Sequence, residues 1–108
     1  MGFRRHVAIV VTCFDFQRTE TARDKARLLE LRPTNVVVGA EGGYCSFLIP
    51  PNGGSEESEM QVLGDERRGE FKEWMLRSEL GRGYLEWVEV SFGGDGGSAE
   101  VVACSDDC

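Results

Sequence analysis

The sequence predicts an α+β domain of order β-α-β-β-α-β-β: a ferredoxin-like antiparallel sheet carrying one added strand, with two helices on one face. Three observations carry this reading. The run HVAIVVTC, His6–Cys13, is apolar on both of its alternating sets, Val7, Ile9, Val11 and Cys13 on one side and Ala8, Val10 and Thr12 on the other, as a central strand requires. Two longer segments carry helical periodicity and stop signals. Short Val- and aromatic-rich runs between glycine-rich turns supply the remaining strands.

Taken in order, the central strand leads through Phe14–Arg18 into a helix whose start is signalled by Thr19 and Thr21. Thr21 with Asp24 three residues on is a loose capping box, and Pro33 ends the helix at about Arg32. Its inner stripe, Ala22, Ala26 and Leu29, is narrow, so the helix can lie close on a sheet. Arg18, Arg23, Lys25, Arg27 and Arg32 make the rest of it basic.

Asn35–Gly39 reads as a second strand, 40–43 as a glycine turn, and Tyr44–Pro50 as a third strand closed by Pro50-Pro51-Asn52-Gly53-Gly54. Ser55–Leu63 is an acidic loop or ragged helical turn. A second helix is expected from about Asp65 to Leu80. It has Phe71, Trp74, Met75 and Ser78 on one face, a Glu73–Arg77 pair on its surface and Gly81 as its C-cap. Tyr84–Phe92 and Ala99–Cys104 complete the sheet around a turn at 93–97, in strand order 5-4-1-3-2.

At 108 residues the chain is a single domain, residues 1–108, large enough to fold without a metal or a disulfide. Its net charge of −7 and isoelectric point near 4.7 argue against a nucleic-acid or anionic-membrane partner, since phosphate binding draws on clustered Lys and Arg. The charge is uneven: residues 1–40 sum to +3 and residues 41–108 to −10. The basic first helix and the more acidic second helix are therefore expected to lie side by side.

No signal-peptide pattern or bilayer-length apolar run occurs, and the cysteines lack paired zinc spacing, so reduced thiols and a cytoplasmic location are expected. Cys13, Cys45 and Cys104 are placed at one end of the sheet. The one arrangement that allows a bridge is Cys13 with Cys45 on adjacent strands. His6 lies at the opposite end of the first strand from Cys13, which excludes a Cys–His pair. Cys13 and Arg18 are one residue short of a phosphatase-type loop and have no glycine between them. The glycine clusters lack dinucleotide-fold or P-loop order. No catalytic residue, cofactor or metal site is predicted.

The run GDERRGEFKEW followed by YLEWVEVSFGG resembles segments of small uncharacterised proteins of actinobacterial phages, over residues 47–105. The resemblance implies a phage or prophage product acting in a bacterial cytoplasm and brings no active site with it.

The function expected from these features is a small acidic, non-enzymatic protein that acts by protein–protein binding, as a phage-encoded modulator or inhibitor of a host protein. Two surfaces are candidates. One is the acidic set Glu56, Glu57, Glu59, Asp65 and Glu66, which could imitate a phosphate backbone. The other is the sheet face left open by the helices, where the smaller set Ala8, Val10 and Thr12 is joined by Leu85 and Trp87, rimmed by Glu89 and Glu100. Trp87 would anchor a partner or a second copy in a homodimer. A small-ligand or nucleotide-binding domain with its cleft at the Cys13 end is the alternative. An RNA-binding sheet fits the fold but is disfavoured by charge.

Overall fold

The computed structural model describes residues 6–51, 59–79, 81–94 and 98–105. The elements are β1 (His6–Cys13), α1 (Phe16–Leu28), β2 (Val37–Val38), β3 (Cys45–Ile49), α2 (Glu59–Arg77), β4 (Glu86–Phe92) and β5 (Glu100–Cys104). They form a five-stranded antiparallel sheet of order β2-β3-β1-β4-β5 with two helices. Read from the other edge this is the order 5-4-1-3-2, with β1 central as its two apolar sets require.

The core lies between the sheet and the helices. Ile9, Val11, Phe47 and Ile49 pack with Ala22 and Ala26 of α1 and Phe71 and Met75 of α2, all essentially inaccessible to water. The odd-numbered set of β1 thus faces the helices and the even-numbered set the open side. Ala22 and Ala26 let α1 approach closely, and Thr19 completes the stripe by returning its hydroxyl to Asp15 O at 2.8 Å.

The boundaries of α1 differ from the expected ones at both ends, for capping reasons. Asp15, not a threonine, is the N-cap: its carboxylate accepts from the amides of Gln17 and Arg18 at 2.9 and 3.2 Å. At the other end the helix stops four residues before Arg32. Glu30 N–H donates to Arg27 O and Leu31 N–H to Ala26 O, the paired bonds of a Schellman turn. The turn needs a left-handed residue, and Glu30 takes it at φ 60° where glycine is usual; Arg32 follows at φ 57°. Glu30→Gly is therefore expected to stabilise the fold by about 1 kcal/mol, read as a raised melting temperature, because glycine meets no Cβ penalty there. The exposed pair lost with it, Glu30 to Arg67 at 3.4 Å, contributes less than that.

Helix α2 begins earlier than expected, at Glu59, because the chain from Glu59 to Leu63 is made largely of good helix formers. Gly81 ends the following turn, donating to Ser78 O and Oγ, and a Cβ there would sit 2.5 Å from Met75 O, so only glycine allows the approach. The Glu73–Arg77 pair forms at 2.7 Å on the exposed face. Lys25–Glu70 joins the two helices in the sense the charge distribution predicts, whereas Arg67 of α2 pairs with Glu30 of the loop after α1 in the opposite sense. The expected second strand shrinks to Val37–Val38, both exposed at the sheet edge, and Gly42 and Gly43 make the turn to β3 at φ 74° and 88°.

Two expectations about side chains are corrected. Trp87 and Leu85 do not lie on the open face: both are 5% exposed and belong to the core. The register decides this, since Trp87 is the cross-strand partner of Val11, and opposed residues share a face. Glu89, opposite Ile9, is carried under the helices with them and is 4% exposed. The thiols are also corrected in part. Cys13 and Cys45 are free, buried and directly opposed, but Cys104 is disulfide-bonded, which removes the thiol argument for a reducing compartment. Among the described residues no helix is long and apolar enough to cross a membrane.

Candidate anion-binding cleft

Helix α2 crosses the His6 end of the sheet with Arg67 and Arg68, and α1 ends beside it with Arg23 and Arg27 one turn apart. The capped loop after α1 adds Arg32, and the end of β3 adds Pro50 and Pro51. Between these three segments lies a cleft of about 780 Å³, walled by Leu31 and the prolines. That volume is within the ordinary range for small-ligand sites. Five arginines line it against one glutamate, Glu30, so a chain of net charge −7 concentrates positive charge at this one place.

Those arginines are not equivalent. Arg68 is 5% exposed and structural: its guanidinium donates to Val7 O at 3.0 Å and to Pro50 O, tying the start of β1 to the end of β3. Burial pushes its pKa below the usual guanidinium value, and the charges of Glu89 and then Asp65 pull it back up. Glu89 is held in turn by Lys72 at 2.7 Å. Arg68 is therefore a fixed part of the cleft, held by two backbone carbonyls.

On the walls, Arg23 donates to Thr34 O and Asn35 Oδ1 at 3.1 and 3.0 Å, bracing the loop after α1, and Arg67 is paired with Glu30. Arg27 and Arg32 are exposed, and their side chains have no hydrogen bond or ion pair among the described residues. Among the described residues, Arg32 is also one of two non-glycine residues in left-handed backbone, both in this wall. Strain of that kind persists where the surrounding structure over-determines it, and it gathers at binding sites.

A second, smaller cleft of about 250 Å³ lies at the Cys13 end, where the sequence places a ligand cleft; it is lined by Met75, Leu76, Arg82, Leu85, Glu86 and Trp87 among others. Trp87 Nε1, buried nearby, has no acceptor among the described residues. Arg18 at this end is committed to Tyr84, its guanidinium 3.6 Å above the ring, and to Asp15 at 3.4 Å.

Of the residues singled out from sequence, Asp65 and Glu66 are exposed on α2 next to the arginine pair, Glu59 is the first residue of that helix, and Glu56 and Glu57 lie outside the described residues. The structure does not bring Leu85 and Trp87 to the open face of the sheet. The arginine cleft was missed because its residues come from positions 23–33, 50–51 and 64–68; the only local signals are the i, i+4 spacing of Arg23 and Arg27 and the Arg67-Arg68 doublet. No protein-family model, curated protein or solved structure matches the chain.

Proposed function

We propose that the domain binds a small phosphate- or carboxylate-bearing ligand in the arginine cleft, acting as a binding protein rather than an enzyme. The observation that carries this is the pair Arg27 and Arg32, cations whose side chains have no partner among the described residues, on the wall of a pre-formed cleft whose other arginines are already engaged. Guanidinium forks match carboxylate and phosphate oxygens bidentately, and such bonds are the strong ones. The overall negative charge does not defeat this, because beyond a Debye length of about 8 Å the distant carboxylates are screened while the lining arginines are not. The lining offers neither a nucleophile nor an unpaired general base, since Glu30 is held by Arg67.

A ferredoxin-like assignment goes with this reading. It is supported by β3 lying antiparallel between β1 and β2, with β5 as an addition beside β4. The protein-binding reading that the sequence puts first loses its two apolar anchors to the core.

Titration calorimetry with inorganic phosphate, pyrophosphate and citrate at low ionic strength tests the proposal. Saturable binding that weakens with added salt is expected. Arg27→Glu with Arg32→Glu should weaken it by roughly ten- to hundredfold, at about 1.5–3 kcal/mol for a charge-assisted contact, with an unchanged thermal melt. Absence of saturable binding by all three probes, or a double variant that binds like the parent, would overturn it.

A further inference from the structure

A pair of cysteines at the far end of the sheet lies apart from the arginine cleft and takes no part in its binding chemistry. Cys13 is the last residue of β1 and Cys45 the first of β3, and the two are cross-strand partners in the antiparallel ladder. Opposed residues share a face, so both side chains enter the helix-covered side, where Cys13 is 1% and Cys45 3% exposed and both are free thiols. The sulfur of Cys13 is further oriented by the Asp15 amide, which donates to it at 3.4 Å where α1 begins. Cys104, by contrast, is disulfide-bonded, so one chain holds cysteines in both oxidation states.

We propose that Cys13 and Cys45 are a reversible dithiol–disulfide pair, a redox-responsive staple between β1 and β3. Directly opposed residues of antiparallel strands have Cα atoms about 4.5–5.5 Å apart, inside the range a disulfide spans, so the bond forms without displacing either strand. Burial slows oxidation of the thiols, but the pair is the final rung of the β1–β3 ladder, and the neighbouring β2 is two residues long and exposed. Fraying of that end admits a reagent without unfolding the core. The oxidant is a small disulfide of the glutathione class. One cysteine, as its thiolate, attacks that disulfide and expels one glutathione thiolate; the second cysteine thiolate then attacks the protein sulfur of the mixed disulfide and expels the other. The reagent's S–S bond is broken and the Cys13–Cys45 bond is formed. Two electrons pass from the protein to the reagent, and the two cysteine protons end on the two released thiols. Closure ties off the segment that holds α1 and β2, a loop of about thirty residues, and so restricts the unfolded chain.

Incubation of the whole chain in graded mixtures of reduced and oxidised glutathione, followed by peptide mass mapping and a thermal melt, is the test. The expected result is a peptide pair linked through Cys13 and Cys45 whose amount follows the glutathione ratio in both directions, with the melting temperature raised by roughly 10–20 °C on closure. Cys45→Ala should show neither the linked peptides nor the rise, which separates this pair from any change at Cys104; should that variant fail to fold, Cys13→Ala carries the same readout. Absence of linkage in the native protein, mixed disulfides that persist without closure, closure that fails to raise the melting temperature, or an equal rise in the variant would each overturn the proposal. Phosphate binding in the cleft, at the His6 end of the sheet, is measured independently of all of these.

Discussion

Val11→Asp is expected to abolish the cooperative unfolding transition altogether. Val11 is wholly inaccessible, sits at the middle of the central strand and has Phe47 and Trp87 as its cross-strand neighbours. Lys72 and Arg68, the cations that α2 carries to the buried side of the sheet, are already committed to Glu89 and to backbone carbonyls, so a new carboxylate at this depth would enter an apolar cluster. An unpaired buried acid costs several kcal/mol even after it neutralises, against a total stability of about 5–15 kcal/mol for a domain of this kind. Far-ultraviolet circular dichroism with a thermal melt checks it. A sigmoidal transition within a few degrees of the parent would mean that β1 is not the core of the sheet.

The second large effect is expected at Arg68, and its size comes from what the substitution leaves behind. In Arg68→Ala, Val7 O and Pro50 O lose this donor, and Glu89 stays buried beside Lys72 without the neighbouring guanidinium charge. Breaking a buried charge network in this way costs about 3–5 kcal/mol, or a melting temperature lower by on the order of 15 °C. The half-buried neighbour Arg67, paired to a glutamate side chain that is 73% exposed, serves as the control: Arg67→Ala should change stability by about 0.5 kcal/mol or less. Replacing Arg68 and Glu89 together with methionine should recover part of the loss, because the buried charge without its partner is removed. Chemical denaturation of the four proteins decides the matter, and equal effects at Arg67 and Arg68 would refute the buried network.

Much of the architecture is legible in the residue order. The two apolar sets of β1 require a strand covered on both sides, and its even-numbered set is the smaller, which assigns the helices to the odd-numbered side before any coordinates are seen. The small stripe Ala22–Ala26, the apolar residues Phe71 and Met75 of α2 and the glycine turn at Gly42-Gly43 are local patterns with local causes, and each is found where the sequence puts it. The helix ends are less legible because caps compete: Asp15 outbids the threonines by reaching two amides, and Glu30 accepts a left-handed turn that sequence rules reserve for glycine.

What only the tertiary structure decided is which face of β4 is inside, and the reason is a buried charge. The strand EWVEVSF offers one set with Trp87 and Glu89 and another with Val88 and Val90. With Glu89 in it, the first set reads as the wet one, and on strand pattern alone the valines belong under the helices. The fold inverts this because α2 delivers Lys72 to Glu89 and lodges Arg68 beside it, offsetting the cost of desolvating a carboxylate and letting the larger Trp87 fill the core opposite Val11. That partnership spans 17 residues of sequence and no local pattern announces it. The same closure gathers arginines from three separate segments into one cleft, so the proposed binding site follows from long-range pairing, while the sequence by itself determined the sheet on which it is built.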